Sequence, residues 1–409
     1  GGVFMWDNYI QVLLSKCVAK DTRILFISYK REIRKFVQEL ALQAKNRGIH
    51  EIFFDEEDIY YTHDLLKESS KEDILNSTYF DQSIWDSYAH DGASFLIFET
   101  EYPGLMDDVD DYLIALASKL RRESRPLYRK MVERCQLSWC IAAYPGKAWA
   151  SSLFSSADAY ERLEKALSKV CMLDCDNPIL AWDKQLELVG DVIKKLNGLD
   201  LKKMHYSNSL GTSLDIYLPK DYQFSSAKDN EVIVNMPSYE VFASPHYLKT
   251  EGIVYSSKPL NYNGKIVDEF WLKFVCGKVV DYDARKGREI LKSIIEGDDY
   301  SCYLGECALV AYDSPISNLN ITFGTTLIDE NASCHLALGA GFAECVNGGL
   351  DMDDDSLLKM GINQSKLHVD FMIGTKDLSI VGTTYDGREI SIFENGNFSC
   401  EIIGEEKKC

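Results

Sequence analysis

The chain has 409 residues, 46% of them apolar and 26% charged. That composition excludes a disordered or fibrous chain, and the length exceeds what one ordinary core accommodates, so two domains are expected. Lys and Arg number 44 against 64 Asp and Glu, a formal charge of −20; so acidic a surface repels phosphate backbones and anionic bilayers, which makes nucleic acid and membranes poor partners.

The first half alternates strand and helix. Arg23–Ser28 is a strand-type apolar run, and helical periodicity follows from Arg31 to Arg47, ending before Gly48. Glu51–Asp55, Ser94–Glu99 and Ser138–Ala143 are further strands. Asp111–Glu133 is helical with an interruption before Pro126, and helices follow at Ala157–Val170 and Ile179–Leu196, the last stopping at Asn197-Gly198. This alternation predicts an α/β N-terminal domain with a largely parallel sheet over residues 1–197. No G-x-G-x-x-G follows the first strand and no Walker loop occurs, so dinucleotide and nucleotide chemistry lack support. The domain reads as a scaffold or lid.

From about Leu199 the character changes. Short alternating segments appear at Lys202–Tyr206, Ser213–Leu218, Val232–Asn235, Gly252–Ser257, Glu269–Val275 and Lys278–Asp283, with turn residues such as Asn263-Gly264 between them. One helix, Arg285–Glu296, interrupts. The pattern predicts an α+β C-terminal domain with a mixed or antiparallel sheet over residues 198–409. Asp351 to Asp355 resembles a calcium loop, but the sixth position is Ser356 and the twelfth is Ile362 where Gly and Glu are needed. It reads as a loop capping a helix at Ser356–Met360.

The twelve cysteines include no C-x-x-C pair, as expected of reduced thiols in a cytoplasm. A structural zinc at Cys171 and Cys175 is the less favoured reading. The opening Gly1-Gly2-Val3-Phe4-Met5 has neither the charged flank nor the cleavage pattern of a signal peptide. No apolar run nears the roughly 18 residues of a spanning helix.

The candidate chemistry lies in the second half. His368 and Asp370 sit in the apolar run Leu367–Gly374; strand geometry puts them on one face, about 7 Å apart along the chain. A charged Asp and a His there point either to a hydrogen-bonded pair on a wetted face or to a metal. In Asp329-Glu-Asn-Ala-Ser-Cys-His335, Asp329 is a plausible N-cap, which places Glu330 near a helix N-terminus and His335 about a turn and a half later. Capping and a satisfied core histidine are the plain alternatives. Glu306 and Glu240 each sit in apolar surroundings, where a carboxylate is costly unless paired or metal-bound; for either one alone an exposed strand face is the better reading. Taken together, four carboxylates and two imidazoles exceed the three ligands of one open zinc site. They suit two divalent ions about 3.5–4 Å apart that clamp and activate one water.

The segments NMPSYEVFASP, GECALV, DENASCHLALG and HVDFMIG, with WCIAAYPGKAW and DNPILAW earlier in the chain, resemble the M29 family of metalloaminopeptidases collinearly over nearly the whole length. The resemblance implies a cytoplasmic, usually dimeric two-domain enzyme that removes N-terminal residues from peptides. It implies a dinuclear centre of zinc, cobalt, manganese or magnesium in the C-terminal domain. It assigns metal binding to Glu240, Glu306, His335, His368 and Asp370, and to Glu330 a role as ligand or general base. Two positions depart from the family pattern. Phe342 stands where a tyrosine is usual, and Tyr239 stands where a second Glu often precedes Glu240. The competing readings are a metal hydrolase of other specificity, such as an amidase or carboxypeptidase, and a non-catalytic metal-binding homologue. A carboxypeptidase needs a cation for the terminal carboxylate, and the four motifs offer none beyond Lys366 beside the last.

Overall fold

Apolar strands buried on both faces call for helices on both sides of a sheet. The first half of the chain supplies both in a computed structural model, which describes residues 2–229, 232–263 and 265–404. The strands β1 (Ile24–Lys30), β2 (Glu51–Glu57), β3 (Ser94–Glu99) and β4 (Trp139–Ala143) form a parallel sheet, joined beyond β4 by the two-residue β5 (Asn235–Met236). The order is β5-β4-β3-β1-β2. Central β1 and β3 are mostly buried, whereas edge strand β2 is half exposed and ends in Asp55-Glu56-Glu57. Three short helices between β2 and β3, Ile59–Glu68, Lys71–Asn76 and Ser83–His90, were not foreseen. Their caps are nevertheless local. The Asp58 carboxylate accepts from the Tyr60 and Tyr61 amides, and Ser70 and Asp73 form a capping box. The helical stretch Asp111–Glu133 divides before Pro126, as its sequence required.

At the end of β2 the Glu57 carboxylate meets the Lys30 ammonium and the Arg121 guanidinium, the latter at 2.8 Å. Burial pushes this carboxyl up, but the two cations outweigh burial and hold it at about 2. A depressed native value means stabilisation that is complete above the ordinary glutamate range and lost as pH falls from there toward about 2. Glu57→Gln is expected to cost on the order of 2 kcal/mol at neutral pH and to flatten the acid limb of stability. Urea titrations between pH 7 and pH 3 check this, and an unchanged acid limb in the variant would contradict it.

The second half is built from antiparallel sheets. A nine-stranded sheet runs from Leu260–Tyr262 through Lys265–Val275, Glu251–Tyr255, Ser213–Tyr217, Leu201–Ser207, Ser379–Thr384 and Glu389–Glu394 to Asn397–Phe398, with Lys278–Lys286 also paired to Lys265–Val275. A second sheet runs from His368–Met372 through His335–Gly339, Leu304–Leu309 and Val241–Ala243 to Ser225–Ser226. Here β6 is Val241–Ala243, β7 Leu304–Leu309, β8 His335–Gly339 and β9 His368–Met372. Val241, Cys307, Leu309, Leu336, Leu338, Val369 and Phe371 of this sheet share one core with Leu214, Ile216, Phe270 and Leu272 of the larger sheet. The predicted helix Arg285–Glu296 is shorter, Arg288–Ile295. The preceding strand runs on to Lys286, and Gly287, at φ 80°, makes the break.

By contact the chain divides into one unit of Gly1–Trp182 with Lys228–Ser238 and another of Asp183–Ala227 with Tyr239–Cys409. The expected boundary, at 197/198, lies at the end of the helix Pro178–Asn197; the observed one crosses that helix after Trp182. The run expected as one strand, Val232–Asn235, is two: Val232–Ile233 and β5, which belongs with the first sheet. Among the described residues no helix is long and apolar enough to cross a membrane.

Candidate metal centre

Strand alternation sorts the second sheet into a core face and a polar face. Val369 and Phe371 point to the core, so His368 and Asp370 share the other face. Across the ladder, His368 pairs with Gly339, Asp370 with Ala337 and Met372 with His335. One residue without a side chain and one with a single methyl therefore lie opposite two polar groups, which leaves room on that face. On the far side of β8, Ala337 pairs with Glu306 and His335 with Ala308.

Glu306 reaches this row through a register shift between Leu304 and Glu306. The inserted residue is Gly305, where a Cβ would come within 2.2 Å of the carbonyl oxygens of Gly339 and Ala340. Only glycine fits so close an approach, and the bulge aims Glu306 into the site. Glu240 comes from just before β6. The Tyr239 amide next to it donates to Asn331 Oδ1 at 2.7 Å, which ties this segment to the one carrying Glu330.

All six nominated side chains converge. Three overlapping groups, Glu240–Glu306–His335, Glu306–His368–Asp370 and Glu330–His335–Asp370, each place their ligand atoms within 4.8 Å of one another. His368 Nε2 lies 3.1 Å from both Glu306 Oε2 and Asp370 Oδ1. His335 Nε2 lies 3.2 Å from Glu240 Oε2 and 3.9 Å from Glu306 Oε1. Tetrahedral ligands about 2.1 Å from an ion stand about 3.4 Å apart, which is the spacing seen.

The imidazoles are fixed from behind. His335 Nδ1 is 3.2 Å from the Ser333 carbonyl and His368 Nδ1 is 2.8 Å from the Ala340 carbonyl. A carbonyl oxygen only accepts, so each Nδ1 carries a proton and each Nε2 faces the carboxylates, where its lone pair would be offered to a metal ion. A proton on Nε2 lets each imidazolium donate to those carboxylates, and a divalent ion would take that proton's place. Glu240 Oε2 is buried, with His335 Nε2 as its neighbour at 3.2 Å. The donor set therefore fits divalent metal ions.

The titration behaviour agrees. Burial, with Asp370 adding to it, raises Glu306 to about 7 despite its two histidine neighbours. Glu330 is raised well above the carboxylate range by burial, then by Glu240 and Asp370. Asp370 resists burial because His368 beside it holds it at about 2. Burial would lower both imidazoles, but the surrounding carboxylates outweigh it and hold both well above the ordinary histidine value. Four carboxylates this close cannot all ionise without cations among them.

One local expectation fails. Asp329 is no N-cap: it ends the helix Thr326–Asp329, and its carboxylate accepts from the Phe323 and Gly324 amides before that helix. Glu330 then lies in a 3₁₀ turn, Glu330–Ala332, and His335 opens a strand rather than riding a helix. The Asp351–Asp355 segment does cap a helix, Asp354–Met360, through Asp353. Cys171 is buried and Cys175 exposed, and neither belongs to a metal-capable group among the described residues. The residues sequence reasoning missed are the orienting ones, Ser333 and Ala340, which act through main-chain carbonyls and so leave no side-chain signature.

Comparison with known proteins places this arrangement. The family described as thermophilic metalloprotease (M29) matches residues 5–398. Aminopeptidase 2 of Geobacillus stearothermophilus is 33% identical over 405 residues, covering 97% of this chain and 98% of that protein. Aminopeptidase AmpS of Bacillus subtilis (strain 168) is 38% identical over 322 residues, 77% of this chain and 78% of its own. Among solved structures, wild-type AmpT from Thermus thermophilus superposes with a TM-score of 0.88 at 24% identity, covering 97% of this chain and 99% of its own, a likeness of fold.

Proposed function

The chain belongs to the M29 family of metallopeptidases, and from that premise we propose that it is a dinuclear metal-dependent aminopeptidase acting on peptides with a free N-terminus. The observation that supports this most is the pair of triads that share Glu306. Glu240, Glu306 and His335 would hold one ion, and Glu306, His368 and Asp370 the other. The oxygen-rich donor set with two imidazoles suits zinc, cobalt or manganese, with magnesium the hardest alternative.

Bound there, divalent ions would lower the pKa of a water toward neutrality and polarise the peptide carbonyl. The side chains do the rest. Glu330, grouped with His335 and Asp370, takes the proton released from the water and returns it to the leaving amine. An ion held there would also take the substrate's free α-amine, which would set the exopeptidase register. Family membership supports, as part of the same proposal, a cytoplasmic homodimer.

Turnover of aminoacyl-nitroanilides is expected to vanish with EDTA and to return with Co(II), Zn(II) or Mn(II). N-acetylated analogues are expected to be inert. His368→Ala is expected to lose metal and activity together. If no ion restores turnover and His368→Ala binds metal as well as the wild type, the proposal is wrong; cleavage of N-acetylated substrates would favour an amidase.

A further inference from the structure

We infer that Phe342 forms the wall against which the side chain of the substrate's first residue packs, so that large apolar N-terminal residues are preferred. This rests on the aminopeptidase reading above and adds a specificity to it.

The direction of approach follows from exposure. The side chains of His335, Glu306 and Glu240 are 1%, 5% and 7% exposed, whereas that of His368 is 28% exposed. A substrate therefore reaches the centre from the His368 side. On that side the Phe342 ring lies 5.2 Å from the His368 ring and 5.0 Å from Phe242, centroid to centroid. Phe342 remains partly exposed, while the residues it packs with, Phe242, Ala308 and Cys345, are buried. It is the outer surface of an apolar patch that continues to the metal-facing row.

The wall is also rigid. The Phe342 amide donates to Ser244 Oγ at 2.8 Å, and Ser244 is wholly buried. His368 is held by the Ala340 carbonyl, two residues before Phe342, so ring and imidazole keep a fixed relation. A substrate whose ammonium and scissile carbonyl sit among the six site residues carries its first side chain within reach of this mouth. An apolar side chain there loses water against Phe342, whereas alanine has little surface to lose.

The test uses the metal-loaded full chain as wild type, Phe342→Ala and Phe342→Leu. Leucyl-, phenylalanyl-, alanyl- and lysyl-nitroanilides are compared by kcat/KM. Binding of leucine hydroxamate and glycine hydroxamate is compared by calorimetry, and metal content is measured throughout. Phe342→Ala is expected to lower the leucyl-to-alanyl ratio of kcat/KM about tenfold or more, chiefly through KM. It is expected to lower the leucine-to-glycine hydroxamate affinity ratio in step, and Phe342→Leu to restore most of the leucyl preference. If the alanine variant sheds metal, Phe342→Leu decides alone: a changed phenylalanyl-to-leucyl ratio supports the wall. Equal losses on all four substrates with metal intact would overturn the inference and leave Phe342 as a support for His368. A wild type that turns over no aminoacyl anilide would overturn the aminopeptidase reading itself, a different result from uniform loss against an active wild type.

Discussion

Glu306→Gln is expected to remove turnover by on the order of 10³-fold or more, beyond the roughly 10–100-fold typical of groups that only orient a ligand. The reason is that both of its oxygens are in use. Oε2 lies 3.1 Å from His368 Nε2 and Oε1 3.9 Å from His335 Nε2, so one carboxylate serves both imidazoles. Glutamine keeps one acceptor and turns an N–H donor toward the other half of the site, where a cation is wanted. Elemental analysis of the purified variant should find the metal per chain reduced by at least one ion relative to the wild type. Full metal content with turnover within tenfold of the wild type would sink the shared-ligand geometry.

Glu330→Gln is expected to behave differently, keeping both ions while kcat falls by about 10²–10⁴ with KM little changed. Glu330 is near His335 and Asp370 but stands outside the two triads that meet at Glu306. Its carboxyl is raised by burial and by Glu240, Asp370 and Glu306, and divalent ions bound beside it would leave it ionised and able to accept a proton. Glutamine has the same shape and no basicity. Metal content separates the two roles left open by sequence: loss of an ion together with activity would make Glu330 a ligand instead of a base.

The site was legible where chemistry follows a local period. Placing His368 and Asp370 on one face needed only the alternation of a strand, and Glu306 and Glu240 were conspicuous as carboxylates in apolar runs. What escaped were features set by distant contacts. His335-Leu-Ala-Leu-Gly339 is rich in helix formers, yet it is strand because it pairs with β7 and β9 on either side; tertiary pairing overrides a propensity worth tenths of a kcal/mol per residue. Asp329 looked like the cap of a following helix and caps a preceding turn, since an Asp side chain reaches amides on either side. Residues 228–238 group with the first unit through pairing of Asn235–Met236 with β4, whose residues lie far back in the chain. No local pattern announces that return.

The two carbonyls behind the imidazoles have a consequence for how such a centre changes over generations. In many metal proteins the group behind a ligand histidine is a side chain, and a single codon change can retune the metal by removing it. Here both backing groups, at Ser333 and Ala340, are peptide oxygens, present whatever residue is encoded. Point substitution at those two positions is therefore blind to the tautomer of either histidine. A change in how such a centre would hold a cation then runs through the carboxylates, or through insertions and deletions that move the main chain itself. The tautomers of the two imidazoles thus rest on the course of the main chain, whereas the acids rest on their own side chains.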